Sequence, residues 1–249
     1  MNNLSLILTF SLVLLSLALS YKEKLGLEKD MLIGSLRAVV QLTLIGFVLK
    51  FIFALDDLFF TTIILVIMVY NASTVAAKRG AGIEQATLIS FAAIFTGLVI
   101  TLGGLVSFKA IPYEPSQVIP ISGMVVGNSM VATSLLFKNL LSNFQTKREE
   151  VEVKLCLGAP PKEASLSLIR DSIRTAMLPT FDSMKTLGIV QLPGMMTGLI
   201  LAGVAPETAI KYQIMVAFML AGAVSISSFV ASYWAYRNFF TKFAQLKEI

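Results

Sequence analysis

The sequence predicts an all-α fold: a polytopic transmembrane helical bundle of about seven spans, N-terminus outside and C-terminus inside, with a cytosolic helical coupling loop between spans five and six. Three observations predict it. First, 56% of the 249 residues are hydrophobic and 14% are charged, with mean hydropathy +0.80; soluble domains hold about 45–50% apolar and about 25% charged residues. Second, seven apolar stretches have the length that crosses a hydrocarbon core about 30 Å thick. They lie at about 4–20, 31–53, 58–77, 86–107, 118–138, 187–204 and 211–236, within one transmembrane domain covering residues 1–249.

The third observation is where lysine and arginine fall. With the N-terminus outside, the inner segments hold Lys22, Lys24, Lys29, Lys78 and Arg79. The long loop with its flank adds Lys138, Lys147, Arg148, Lys154, Lys162, Arg170, Arg174 and Lys185, and the tail adds Arg237, Lys242 and Lys247. Outer loops keep only Lys50, Lys109 and Lys211, and Arg37 lies inside the second span. Cytoplasmic loops carry the excess of basic residues, so this asymmetry sets both the number and the direction of the spans. The net charge of +5 therefore belongs to topology and to contact with membrane lipid, not to a nucleic-acid surface. The single cysteine, Cys156, excludes an intrachain disulfide, and the absence of histidine excludes histidine catalysis and histidine-bound metals.

Taken in order, the first span is expected to be a retained helix and not a cleaved signal, because residues 1–20 carry no positive charge. Outer loops are short and acidic, with Asp56, Asp57, Glu114 and Glu207. The one at 111–120, IPYEPSQVIP, reads as a stiff proline turn. Gly123 and Gly127 in the fifth span have the spacing of closely packed membrane helices. Glycine and proline, with Pro193, Gly194 and Gly198, break the sixth. Trp234 and Tyr236 suit the inner interface at the end of the seventh.

Polar residues within the spans are the candidates for a transport path. Arg37 either snorkels to the headgroups or joins Gln41, one turn on, in a stripe facing the bundle. Asn71, Asn128 and Gln191 either bond between helices or line a path. Met124, Met130, Met177, Met184, Met195 and Met196 gather around spans five and six; thioethers fill irregular cores and also pass soft metals. No carboxylate lies inside a predicted span, which counts against an ion-coupled carrier.

Residues 139–186 hold 13 of the chain's 35 charged residues and form the predicted cytosolic coupling region. Val151, Val153, Leu155 and Leu157 alternate as in a strand. The Glu150–Lys154 spacing and the stop at Gly158 and Pro160 favour a helix, which is the reading adopted. Pro161 opens a second helix with Leu166, Ile169, Ile173 and Met177 on one stripe, ended or kinked at Pro179. That stripe suits either the membrane surface or a cytosolic partner.

Glu152-Val-Lys-Leu-Cys-Leu-Gly158 resembles the EAA loop of bacterial ABC-transporter permeases, with Val153 and Lys154 in place of its two alanines and a longer interval to Leu178-Pro179. The wider stretch, LGAPPKEA followed by IRDSIRTAMLPTFDSMKTLGIVQLPGMMTGLILAGVAPETAIKYQI, resembles the FetB-type permease family. So do RAVVQLTLIG at 37–46 and GMVVGNSM at 123–130, which extends the resemblance over essentially the whole chain. That family includes a bacterial permease implicated in iron export and plant relatives linked to aluminium tolerance.

The resemblance implies a permease subunit in the cell (inner or plasma) membrane, working as a homodimer with a separate cytosolic ABC ATPase to export a metal ion such as iron. The ATP would be used by the partner. This chain has no phosphate-binding loop of its own and is expected to be neither an enzyme nor the holder of a cofactor or resident metal. Coupling to the ATPase would fall to Glu152, Leu155, Gly158, Ala159, Arg170 and Arg174. The path would draw on Arg37, Gln41, Asn128, Gln191, Pro193, Met195 and Met196. The alternative is a secondary carrier or channel for a small cation.

Overall fold

The computed structural model describes residues 3–55 and 57–247, and Asp56 of the predicted outer acids lies outside the described residues. The chain forms two compact units, Met1–Asp57 and Leu58–Ile249. Among the described residues the secondary structure is helical, with isolated bridges only at Leu187–Gln191 and Phe240–Leu246.

The first unit pairs α1 (Asn3–Lys22) with α2 (Glu28–Leu55). α1 ends in a left-handed turn: Lys24 has φ 51°, its N–H donates to Tyr21 O at 3.2 Å, and Leu25 N–H donates to Ser20 O at 3.1 Å. Those two bonds satisfy carbonyls that a helix end leaves open. Glu28 and Asp30 in the first turn of α2 complement its dipole, which is why this helix begins before the predicted 31. Ser20 Oγ donates to Glu28 Oε1 at 2.9 Å and ties the two helices together.

The second unit contains α3 (Leu58–Arg79), α4 (Ala86–Ser107), α5 (Pro115–Thr146), α6 (Arg148–Cys156), α7 (Pro161–Ala164), α8 (Leu166–Thr186), α9 (Gly194–Leu201) and α10 (Pro206–Ala235), closed by a 3-10 turn at Tyr236–Phe239. Among the described residues, α2, α3, α4, α5 and α10 are the five helices long and apolar enough to cross a membrane. The proline turn of 111–120 is shorter than expected. Pro115 takes the first helical position, where its missing N–H costs nothing, and Pro120 sits inside α5. At its other end α5 meets no breaker and runs eight residues past the predicted 138, to Thr146.

The predicted sixth span is not one helix. Residues 187–193 are irregular, and α9 has eight residues, about 12 Å at 1.5 Å per residue. Pro193 starts that helix late, and Gly203 at φ 90° closes it, with Gly203 N–H to Ile200 O and Val204 N–H to Leu199 O, both at 3.0 Å. Of the two outcomes expected at Pro179, an end or a kink, the helix does not end there: Pro179 lies within α8, which continues to Thr186.

α4 packs on α10 and α3 on α5, while α5 also meets α10 and α8. Gly97 permits the α4–α10 approach: a Cβ there would run into Ser227 Oγ and lie 3.1 Å from Ala223 O. One core cluster includes Val69, Ile94, Val125 and Met219. A second lies at the basic end of the unit, where Phe137, Phe144, Val151, Ile169 and Phe239 are buried. There the Phe144 ring stacks on Phe239 at 4.1 Å and meets Phe240 edge-on at 5.9 Å. The tail folds back over this cluster: Lys247 N–H donates to Phe239 O at 2.9 Å, and Lys247 O accepts from Arg148 Nη1 at 3.0 Å. Lys247 Nζ reaches Glu84 Oε1 at 2.8 Å.

Candidate functional site

Two features on the second unit stand apart from its packed core. One is a groove at the basic end, the other a cavity deep among the apolar helices.

The groove has a volume of about 640 Å³ and runs between the end of α6, the turn after it and the tail. Glu152, Leu155, Gly158 and Ala159 all line it, opposite Phe243 to Leu246. α6 is the helix that the Glu150–Lys154 spacing favoured, and that pair closes at 2.6 Å. Glu150 is held below the usual carboxylate range by the hydrogen bond from Lys154 and by that lysine's charge. Arg148 Nε meets Glu152 at 2.8 Å. Gly158 adopts φ 89°, with its N–H on Leu155 O at 2.9 Å and Ala159 N–H on Lys154 O at 3.0 Å. This is the left-handed closure that favours glycine. It leaves Leu157 and Phe243 more than four-fifths exposed beside the groove. Arg170 and Arg174 are not part of it; they lie on the exposed face of α8, whose other face buries Leu168, Ile169, Ser172, Ile173 and Ala176.

The cavity, about 290 Å³, lies between α5, α8, α10 and the irregular 187–193 segment. Its polar lining is Asn128, Thr180, Ser183, Gln191 and Gln213, with Pro193 and the Met184 thioether beside them. Among the described residues no charged side chain lines it. Asn128 is the midpoint of the stretch 118–138, some ten residues or about 15 Å from either end. The second half of α8 therefore reaches the depth of the apolar middle of α5. Asn128 Nδ2 donates to Met124 O at 2.8 Å, and Gln191 Nε2 donates to Ser183 O at 3.3 Å. Each bond occupies an amide hydrogen and leaves the amide oxygen to accept. Gln213 Oε1 is buried with no partner among the described residues, a state that costs about 1–3 kcal/mol unless a bound group relieves it. On the same turn of α8, Asp182 and Lys185 pair with each other at 2.8 Å, both exposed.

A larger cavity of about 760 Å³ continues along α5 and α10 toward their N-termini, lined by Gln117, Pro120, Met124, Met195, Leu199 and Tyr212 among others. The predicted path residues thus separate. Asn128, Gln191 and Pro193 share the inner cavity and Met195 the outer one; Met196 lines neither. Arg37 and Gln41 belong to α2 of the first unit, exposed, with Gln41 on a shallow groove made of α2 residues. Gln213 is the residue that sequence reasoning missed. Its signal was there to find, an amide inside an apolar helix. Among the described residues no group of three or more acidic, cysteine or histidine side chains is placed to hold a metal ion.

Five long apolar helices, polar groups turned to a cavity at their depth and a charged amphipathic end define a polytopic helical membrane protein. Residues 3–240 match the uncharacterised protein family UPF0014, and the chain belongs to that family. It is 48% identical to the probable iron export permease protein FetB of Escherichia coli (strain K12), over 98% of this chain and 94% of the relative. It is 40% identical to the membrane protein YjkA of Bacillus subtilis (strain 168), over 100% of this chain and 99% of the relative. With the protein ALUMINUM SENSITIVE 3 of Arabidopsis thaliana it shares 37% identity, over 94% and 86%. No solved structure matches the chain.

Proposed function

We propose that this chain is the membrane permease subunit of an ATP-driven exporter of a metal cation such as iron, powered by a separate cytosolic ABC ATPase. The observation that carries the reading is the near full-length similarity to a relative named as a probable iron export permease. The groove supports it: four of the six residues assigned to coupling converge there, beside exposed Leu157 and Phe243. An ATPase seated on that apolar rim would push on α6, and α6 bears on the cluster around Val151, Phe144 and Ile169 that also holds α5 and α8.

In this reading residues 1–249 work as one permease in the cell membrane, N-terminus outside and C-terminus inside. α1 is the first crossing, and the second half of α8, the irregular segment and α9 together make the sixth. The cytosolic part of the long loop then ends near Ala176 and not at Thr186. Asn128, Ser183, Gln191, Asp182 and Lys185 are exposed at this depth, where polar groups are tolerated facing water or protein and not lipid. Two copies with the path between them satisfy that condition. The chain itself holds no ATP, cofactor or resident metal and is not an enzyme. The experiment is export of metal from vesicles containing the chain with its ATPase. Export should stop without ATP, and Gly158→Leu, strained at its positive φ, should lower export at least about tenfold with the chain still folded. Export that persists without ATP would leave the secondary-carrier reading in its place.

A further inference from the structure

The geometry points to the inner cavity as a cation site in which the amide oxygens of Gln213, Asn128 and Gln191 receive a divalent ion that keeps part of its water shell. The inference rests on the reading of the chain as a cation permease and adds to it the place of binding and the chemistry of the donors. The amide oxygens there are free to accept, beside amide hydrogens and the Thr180 hydroxyl that are free to hold the ion's water. Asn128 and Gln191 each commit an amide hydrogen to a backbone carbonyl, of Met124 and Ser183 respectively, and Ser183 Oγ donates to Pro179 O at 2.8 Å. Gln213 Oε1 is buried and unpartnered. With no lysine or arginine among the described residues of the lining, no fixed positive charge repels a cation, and the amide oxygens and the Met184 thioether can face it.

The donors are neutral, so they do not offset the charge of a bare divalent ion, whose full dehydration is costly. The volume of about 290 Å³ removes that need, since each retained water takes about 30 Å³. Asp182 does not supply the missing charge, because its carboxylate is paired with Lys185 and neither residue lines the cavity. Such a site binds weakly and releases readily, which a conducting path requires and a storage site does not.

The test uses the full chain purified in detergent, without ATPase, and manganese(II) alone as the probe, read as loss of the free-ion electron paramagnetic resonance signal. Gln213→Glu places a full charge beside the ion and should tighten binding about tenfold, because ligand charge tunes affinity in oxygen-ligand sites. Gln213→Leu should weaken binding by a similar factor. If the buried glutamate prevents folding, Asn128→Asp on the exposed rim of the cavity should tighten binding in the same sense. Absence of binding to the unaltered chain, or equal affinity in all these variants, overturns the proposal. The measurement involves no ATP and no partner. Failure here therefore leaves ATP-driven export standing, and ATP-independent export leaves this site standing.

Discussion

Gly97 controls how closely α4 and α10 approach. A methyl group there would displace Ser227 and press on the Ala223 carbonyl at 3.1 Å, and backbone cannot give way as a side-chain end can. Gly97→Ala should cost about 1–3 kcal/mol as overpacking. Gly103→Ala, on the same helix with nothing within 4 Å of the added carbon, should not lower stability. Thermal unfolding of both variants in one detergent makes the comparison, and an equal fall in Tm would refute the close-approach argument. Glu150 offers a test by pH. Its folded-state pKa is depressed by Lys154, so the stabilisation is present above the ordinary carboxylate value and fades as pH falls through the lowered one. Lys154→Ala should move Glu150 back up toward that ordinary value, seen by carboxyl NMR titration. The pair is solvent-exposed, so stability at neutral pH should hardly change.

Among the elements, the tail and α6 stand or fall with the aromatic cluster at the basic end. Phe144 is fully buried between Phe239 and Phe240, and these rings carry the tail that closes one wall of the groove. Phe144→Ala should cost about 3–5 kcal/mol and should also expose the tail to protease. Limited proteolysis beside a Tm measurement reads both effects. A fall in Tm with the tail still protected would show that the groove wall is held elsewhere. The amphipathic pattern of α8 was legible because apolar residues recur at helical spacing around Ile169 and Ile173. Whether the helix ends at Pro179 or continues through it was left open. A proline removes one hydrogen bond, and packing against α5 and α10 outweighs that loss in a way no local rule reports.

For the whole molecule, the prediction concerns the solvent that meets the polar face of α8, the irregular segment and α5. Ser183→Cys in a background with Cys156→Ser should react with a water-soluble maleimide in membranes if the cavity it lines opens to water, as the proposed path requires. Phe218→Cys, on the exposed apolar surface of α10, should stay unreacted. Equal protection of both would place Ser183 in a dry setting and remove the aqueous path.

By itself the sequence determined the helical class, the extent of four of the long apolar helices to within a few residues at most ends, and the glycine closure after α6. Each follows from nearest-neighbour physics: hydropathy over a window, the 3.6-residue period, and the backbone freedom of one residue. The chain's full-length family likeness was legible for the same reason, since it resides in residue order. Tertiary structure alone decided that Asn128, Gln191 and Gln213 share one cavity, that Arg170 and Arg174 stand outside the groove, and that the second half of α8 lies beside the middle of α5. Those outcomes depend on contacts between residues far apart in the chain. There an amide that bonds a neighbouring helix and an amide that waits for a cation have the same letter and the same surroundings in sequence.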